Sequence, residues 1–264
     1  MPDLFESVEP RLVFDRMTLR CDQADKNITN LIAWDWSLYR GERLCIISTN
    51  SFLRYQVMAI LGGYVQPVSG KFEVLGSLSW PLGGEGGLDG KLTIENGLEF
   101  LLSIYNDCLN TSFVTLDDFF EALQTLSIDP SMRLKDLAKE QKDFFYMMLS
   151  VLFSFDTYLV PGSRFLMTKQ ARICRNLFRK QIADDKCIVT ATTNNRFRRE
   201  FCNRGMVLGS DGKILFDGYL EDAIAYECKN NRVGPDLESN DEDQFNAASH
   251  LTNSDLDSNY NFSI

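Results

Sequence analysis

Apolar and polar positions change their period repeatedly along this chain. Leu12 to Leu19 alternates roughly as a strand does, and Leu31 to Leu38 reads as a second strand before a tight turn at Arg40-Gly41-Glu42. Leu44-Cys-Ile-Ile47 is a short apolar run ahead of a polar loop, which suits a buried strand. Leu53 to Leu61 has helical spacing and stops at Gly62-Gly63, so the unit is strand, loop, helix. Pro67-Val-Ser-Gly70 marks a turn, and Lys71 to Leu75 reads as a further strand.

Ser79 to Gly90 is rich in glycine, which by itself reads as a flexible loop. Thr93 is placed to cap the helix that follows. Helical patterns run over Glu95–Tyr105, Leu116–Leu126 and Lys142–Phe155. Thr157–Val160 reads as a strand, Ala171–Ile182 as a helix, Cys187–Ala191 as a β-branched strand and Arg196–Phe201 as a helix. Met206–Leu208 and Ile214–Phe216 flank a hairpin turn at Ser210-Asp-Gly-Lys213, and Glu221–Tyr226 closes the body as a helix. From Asn230 onward Asn, Ser and Asp dominate and periodicity is lost. Residues 1–229 are expected to form the body, with a helical insertion at about 96–155, and 230–264 an acidic disordered tail.

A length of 264 residues allows one large α/β domain. The net charge is −10, with seven acidic residues after Asn230 against Arg232 alone. Nucleic-acid binding needs a basic footprint, so it is not expected; the one basic patch to consider on the body surrounds Arg196, Arg198 and Arg199. Seven cysteines, none at CxxC spacing, read as reduced thiols of a cytosolic protein. Met1 to Pro10 is acidic and lacks the layout of a signal peptide. The most apolar stretch, Phe144–Phe155, falls short of the roughly 20 residues of a membrane helix, so no span is expected. The only histidine, His250, lies in the tail. Serine–histidine triads, cysteine–histidine pairs and histidine-ligated metals are therefore excluded from the body, and no metal or cofactor is expected.

The order of these pieces resembles the nucleotide-binding domain of ATP-binding cassette (ABC) transporters. Within that family it is most similar to the ATPases that energise export of capsular and O-antigen polysaccharides. Ser79-Trp-Pro-Leu-Gly-Gly-Glu-Gly-Gly-Leu-Asp-Gly-Lys-Leu-Thr-Ile-Glu-Asn96 carries the resemblance most specifically. Pro67-Val-Ser-Gly70, Phe155-Asp-Thr-Tyr-Leu159, Leu215-Phe-Asp-Gly218 and Glu221-Asp-Ala-Ile-Ala-Tyr226 add to it, over about Leu12 to Tyr226. The resemblance implies an α/β, P-loop NTPase-like cassette: a mixed-sheet core, an antiparallel β-subdomain and a helical subdomain, with the glycines at 83–90 as a surface that docks the membrane subunit, the alternative to a flexible loop.

The same resemblance exposes what is missing. A phosphate loop needs GxxxxGK[ST], whose glycines admit backbone N–H groups to the phosphates, whose lysine supplies charge and whose hydroxyl holds Mg²⁺. The matching window is Ser48-Thr-Asn-Ser-Phe-Leu-Arg-Tyr55. Ser48, Ser51 and Leu53 bring no glycine, and Phe52 and Leu53 put bulk where only backbone fits. Arg54 stands for lysine and Tyr55 for the small hydroxyl residue; Arg54 is expected as a solvated helix residue, and Gln56 and Thr49 are the alternatives for rescue. The metal-holding and water-polarising carboxylates fall on Pro161 and Gly162, the switch histidine on Thr193, and the γ-phosphate-sensing glutamine on Asp89. The signature that clasps the opposite subunit's nucleotide falls on Ala138–Asp143, with Lys139 and Gln141 where serine and glycine belong; Lys139 and Lys142 are expected to be solvated.

Five elements have failed together while the surrounding pattern persists. The expectation is a non-catalytic cassette, a pseudo-ATPase, that partners an exporter permease or an intact ATPase, in a dimer, at the inner face of the cytoplasmic membrane. Two alternatives stay open: a divergent but working exporter ATPase, and a soluble binding protein that reuses the fold.

Overall fold

A computed structural model describes residues 9–23, 26–109, 114–183 and 185–231 of the chain, with side chains described outside 19–32 and 231. Two long strands, β1 (Pro10–Gln23) and β2 (Lys26–Tyr39), pair antiparallel. The next strand, β3 (Arg43–Ile47), enters a different sheet, and α1 (Ser51–Leu61) follows it. The chain then returns through β4 (Ser69–Val74) to the other edge of β1, giving a sheet of order β2-β1-β4. β1 bulges between Phe14 and Met17, where Arg16 takes φ 45°. Opposite it, Gly70 has φ 84°, and a Cβ there would lie 2.1 Å from the Arg16 carbonyl oxygen, so only glycine fits.

The second sheet has the order β5-β6-β3-β7-β8, with β5 (Thr157–Val160), β6 (Cys187–Thr190), β7 (Arg204–Leu208) and β8 (Ile214–Tyr219). Its first four strands are parallel and β8 is antiparallel, so the sheet is mixed. β5 and β6 are buried at every residue, as unbroken apolar strands with both faces covered must be. β3 sends its side chains both ways. Cys45 and Ile47 join the core shared with the helices, whereas Leu44 and Ile46 pack with Leu53, Met58 and Trp34 beneath the antiparallel sheet.

Three α-helices lie within 94–152: α2 (Ile94–Tyr105), α3 (Leu116–Gln124) and α4 (Lys139–Leu152). Thr93 caps α2 as its position implied, accepting the Asn96 N–H at 3.2 Å. α4 starts and ends three residues earlier than its apolar pattern suggests. Gln141 explains the start, because its Oε1 accepts the Ala138 N–H at 3.1 Å. Phe153 then leaves the helix extended, so that Phe153 and Phe155 pack edge-on against Trp80. Three further helices, α5 (Arg172–Gln181), α6 (Asn195–Phe201) and α7 (Leu220–Asn231), complete the body. No helix among the described residues is long and apolar enough to cross a membrane. The expected disordered tail lies outside the described residues from 232 onward.

Candidate functional site

The loop that would carry a nucleotide leaves β3 at Ile47 and turns directly into α1. Asn50 precedes a helical apolar pattern and caps it: its Oδ1 accepts the Leu53 N–H at 3.1 Å. The Asn50 N–H in turn reaches Ser48 Oγ at 3.2 Å, and Asn50 Nδ2 donates to the Ser210 carbonyl at 3.3 Å. Free N–H groups at a helix start are what make it an anion site. Here the asparagine carboxamide satisfies one of those donors from within the chain.

Two expectations at this loop are corrected. Arg54 is not solvated; it is 6% exposed, and its Nη1 donates to the Ser48 carbonyl oxygen. The guanidinium therefore turns back on the loop's first residue, because a buried cation needs an acceptor. Leu53 does not block the loop either, since its side chain is wholly buried in the core under the antiparallel sheet. The exposed bulk is Phe52, at 41%. Ser51 and Tyr55 are half-buried, and burial pushes the Tyr55 phenol up. Thr49 is exposed, and the buried carboxamide oxygen of Gln56 has no hydrogen-bond partner.

Pro161, Gly162 and Thr193 are half-buried at the carboxyl ends of β5 and β6, the same sheet edge as Ser48–Tyr55. The residues just past these strand ends are tied by hydroxyls: Ser163 Oγ and Thr192 Oγ1 are hydrogen-bonded to each other at 2.7 Å, both wholly buried. Arg198 holds this edge from behind. Its Nε donates to the Thr192 carbonyl at 2.8 Å and its Nη1 pairs with Glu227 at 3.1 Å. The basic patch considered at 196–199 is thus reduced. Arg198 is buried, Arg199 is exposed but pairs with Glu221 at 3.6 Å, and Arg196 is exposed.

Asp89 and Ala138–Asp143 lie on the helical side, not at that edge. Asp89 is exposed, and its Oδ1 accepts the Lys91 N–H at 2.8 Å in a local turn. Gln141 caps α4 and also donates to the Leu126 carbonyl at 3.1 Å, while Lys139 is exposed. Lys142, expected as a solvated residue, is half-buried and paired; its ammonium reaches Glu85 at 2.9 Å and sits 5.7 Å from the Tyr146 ring centroid. That ion pair helps to pin the glycine-rich loop. Ser150 Oγ accepts from both Trp80 Nε1 (3.1 Å) and the Gly83 N–H (3.0 Å), so the loop is anchored and the reading as a flexible segment does not hold.

A cavity of about 410 Å³ opens between the ends of β3 and β7, lined by Ser48, Thr49, Ser210, Asp211, Glu227 and Asn230 over Ile47, Val207, Leu208 and Tyr226. No group of three His, Cys, Asp or Glu among the described residues could hold a metal. Burial pushes the Cys174 thiol up to about 12, which makes it a poor nucleophile. Sequence reasoning missed Asn50, Ser163–Thr192, Ser150 and Arg198–Glu227. Only Asn50 left a signal, an N-cap residue before an apolar helical repeat.

No protein-family profile matches the chain. It is 26% identical over 189 residues to the polysialic acid transport ATP-binding protein KpsT of Escherichia coli, covering 70% of this chain and 84% of that one. It is 27% identical over 203 residues to the capsule polysaccharide export ATP-binding protein CtrD of Neisseria meningitidis, covering 74% and 88%. Among solved structures, the ATP-binding subunit of an ABC transporter superposes with a TM-score of 0.61 at 13% identity, over 91% of this chain and all of that one. A dimeric bacterial ABC transporter cassette gives 0.57 at 14%, over 79% and 98%. The mixed core sheet, the antiparallel sheet and the intervening helices are those of this fold. The chain is thus similar in sequence to capsule polysaccharide export ATP-binding proteins and has the fold of an ABC cassette.

Proposed function

We propose that this chain is a non-catalytic cassette subunit, a pseudo-ATPase that serves polysaccharide export by partnering a permease or an intact cassette ATPase. The observation that carries the reading is the self-satisfied loop: Asn50 caps α1 and Arg54 folds onto Ser48 where a phosphate would need both the donors and the cation. Pro161 and Gly162 support it, because neither side chain can hold a metal or polarise water. In this reading the body is residues 1–229, the degenerate positions 48–55, 89, 138–143, 161–162 and 193 bind no nucleotide, and the chain works at the inner face of the cytoplasmic membrane.

A second reading is favoured by the relatives, which are named as ATP-binding proteins: a divergent but working exporter ATPase. Phosphate release by the purified chain separates the two. Release at the rate of a buffer blank supports the pseudo-ATPase, and Mg²⁺-dependent release supports the second. Affinity capture with a permease or an intact cassette tests the partnership; capture of neither favours a protein that reuses the fold alone.

A further inference from the structure

The cavity of about 410 Å³ at the carboxyl ends of β3 and β7 has walls that are fixed in advance. Open α/β sheets take their ligands beyond this end of the strands. One wall is the β7–β8 hairpin. Asn50 Nδ2 holds its Ser210 carbonyl at 3.3 Å, and Trp34 Nε1 holds its Gly212 carbonyl at 3.1 Å. Another is helix α7, whose Tyr226 stacks on Phe216 of β8 at 5.6 Å between ring centroids. The volume falls within the usual span of small-molecule sites, about 300–1,000 Å³.

The lining selects a ligand by its chemistry. Asp211 and Glu227 bring carboxylates, and Ser48, Thr49 and Ser210 bring hydroxyls. Asn230 Nδ2 turns back onto the Tyr226 carbonyl at 3.0 Å, which leaves the carboxamide oxygen as an acceptor. Among the described residues, no lysine or arginine lines the cavity. The countercharges stand behind the carboxylates: Arg198 Nη1 meets Glu227 at 3.1 Å, and Lys213 Nζ meets Asp211 at 3.1 Å. A phosphate entering here faces two carboxylates and no cation of its own. A cation gains little, because both carboxylates are already countered. A neutral ligand rich in hydroxyls fits best, since a hydroxyl donating to an ionised carboxylate makes a short, strong hydrogen bond. The floor is apolar: Ile47, Val207 and Leu208 are all buried, and Tyr226 adds its ring. A sugar ring offers both halves of the match, hydroxyls at its rim and C–H groups on its face, and covering the floor with those C–H groups removes apolar surface from water.

We propose that this cavity binds a neutral monosaccharide unit, with Asp211 and Glu227 accepting its hydroxyls and Val207 and Tyr226 covering its C–H face. The site is independent of whether the chain turns over ATP, because neither carboxylate belongs to the degenerate motif positions.

Amide chemical shifts of the full chain test this. The chain is titrated separately with glucose, galactose, N-acetylglucosamine, glucose 6-phosphate and spermidine, each to about 10 mM, enough to populate a millimolar site. At least one neutral sugar is expected to give saturable shifts at Val207–Asp211 and Glu227. Asp211→Asn and Glu227→Gln should each weaken that sugar at least tenfold, and glucose 6-phosphate should bind more weakly than glucose. Circular dichroism and melting check that both variants fold; Asp211→Asn keeps an acceptor for the Lys213 N–H of its turn, so it carries the test if Glu227→Gln does not fold. No saturable shift with any of the three neutral sugars overturns the proposal. So do shifts confined to other parts of the chain, variants that bind as the parent does, and glucose 6-phosphate or spermidine binding as tightly as the best neutral sugar.

Discussion

The Arg54 guanidinium, in the first turn of α1, donates to the carbonyl oxygen of Ser48, six residues earlier in the loop before it. A cation that would face a phosphate is thereby fixed to the backbone that would surround it. Arg54→Ala removes this bond and leaves a buried carbonyl unpaired, so a loss of about 1–3 kcal/mol in denaturant unfolding is expected. Arg54→Lys should recover part of that stability and confer no affinity for ATP, because Asn50 still occupies the helix start.

Ser150 fixes the glycine-rich loop through Trp80 and Gly83. Ser150→Ala leaves two half-buried donors without this acceptor. The expected cost is about 2 kcal/mol, with faster amide exchange at Gly83 and neighbouring loop residues. Unchanged exchange there would mean that Glu85–Lys142 alone holds the loop.

Asp156 connects acid stability to the same region. Burial opposes its ionisation, yet the Ser77 N–H and hydroxyl, with Lys186 and Arg11, hold its carboxyl below the usual carboxylate range. Folding therefore gains from the ionised form above the unfolded value near 3.9, and loses that gain as pH falls through the lower folded value. Asp156→Asn should be about 1–2 kcal/mol less stable at neutral pH, and the gap should close below about pH 4. A gap that does not narrow at all as pH falls below the usual carboxylate range would mean that charge is not its source.

The arrangement of the degenerate motifs limits what pairing could achieve. In the ABC family that the chain resembles, each nucleotide lies between one subunit's loop and the other's signature. With an intact partner, one composite site has Ser48–Tyr55 as its loop and the other faces Ala138–Asp143. Loss of one transition-state donor typically costs on the order of a hundredfold, so titrating this chain into an intact ATPase should lower its rate per active subunit by at least about tenfold. A rise in that rate would rule out an inhibitory pairing.

Much of the architecture was legible because local patterns and tertiary demands agree. β5 and β6 are unbroken apolar runs, Thr93 caps α2, and the strand–loop–helix unit stands where its polarity switches. The end of α4 was not legible, because Phe153–Phe155 continues the apolar run while long-range packing against Trp80 pulls it out of the helix. Arg54 was misread for a similar reason. A charged residue near a helix start reads as solvated, and only the fold shows the carbonyl that receives it. The Ser163–Thr192 and Arg198–Glu227 links join residues 29 apart, which no local pattern encodes.

The central claim is that this cassette holds no nucleotide, and melting of the full chain with and without ATP and Mg²⁺ tests it most directly. A ligand at a hundred times its dissociation constant stabilises a protein by about 2.7 kcal/mol, a shift of several degrees for a body of this size. The account predicts superimposable melting curves at millimolar ATP with Mg²⁺. A Mg²⁺-dependent rise of several degrees, absent with Mg²⁺ alone, would contradict it.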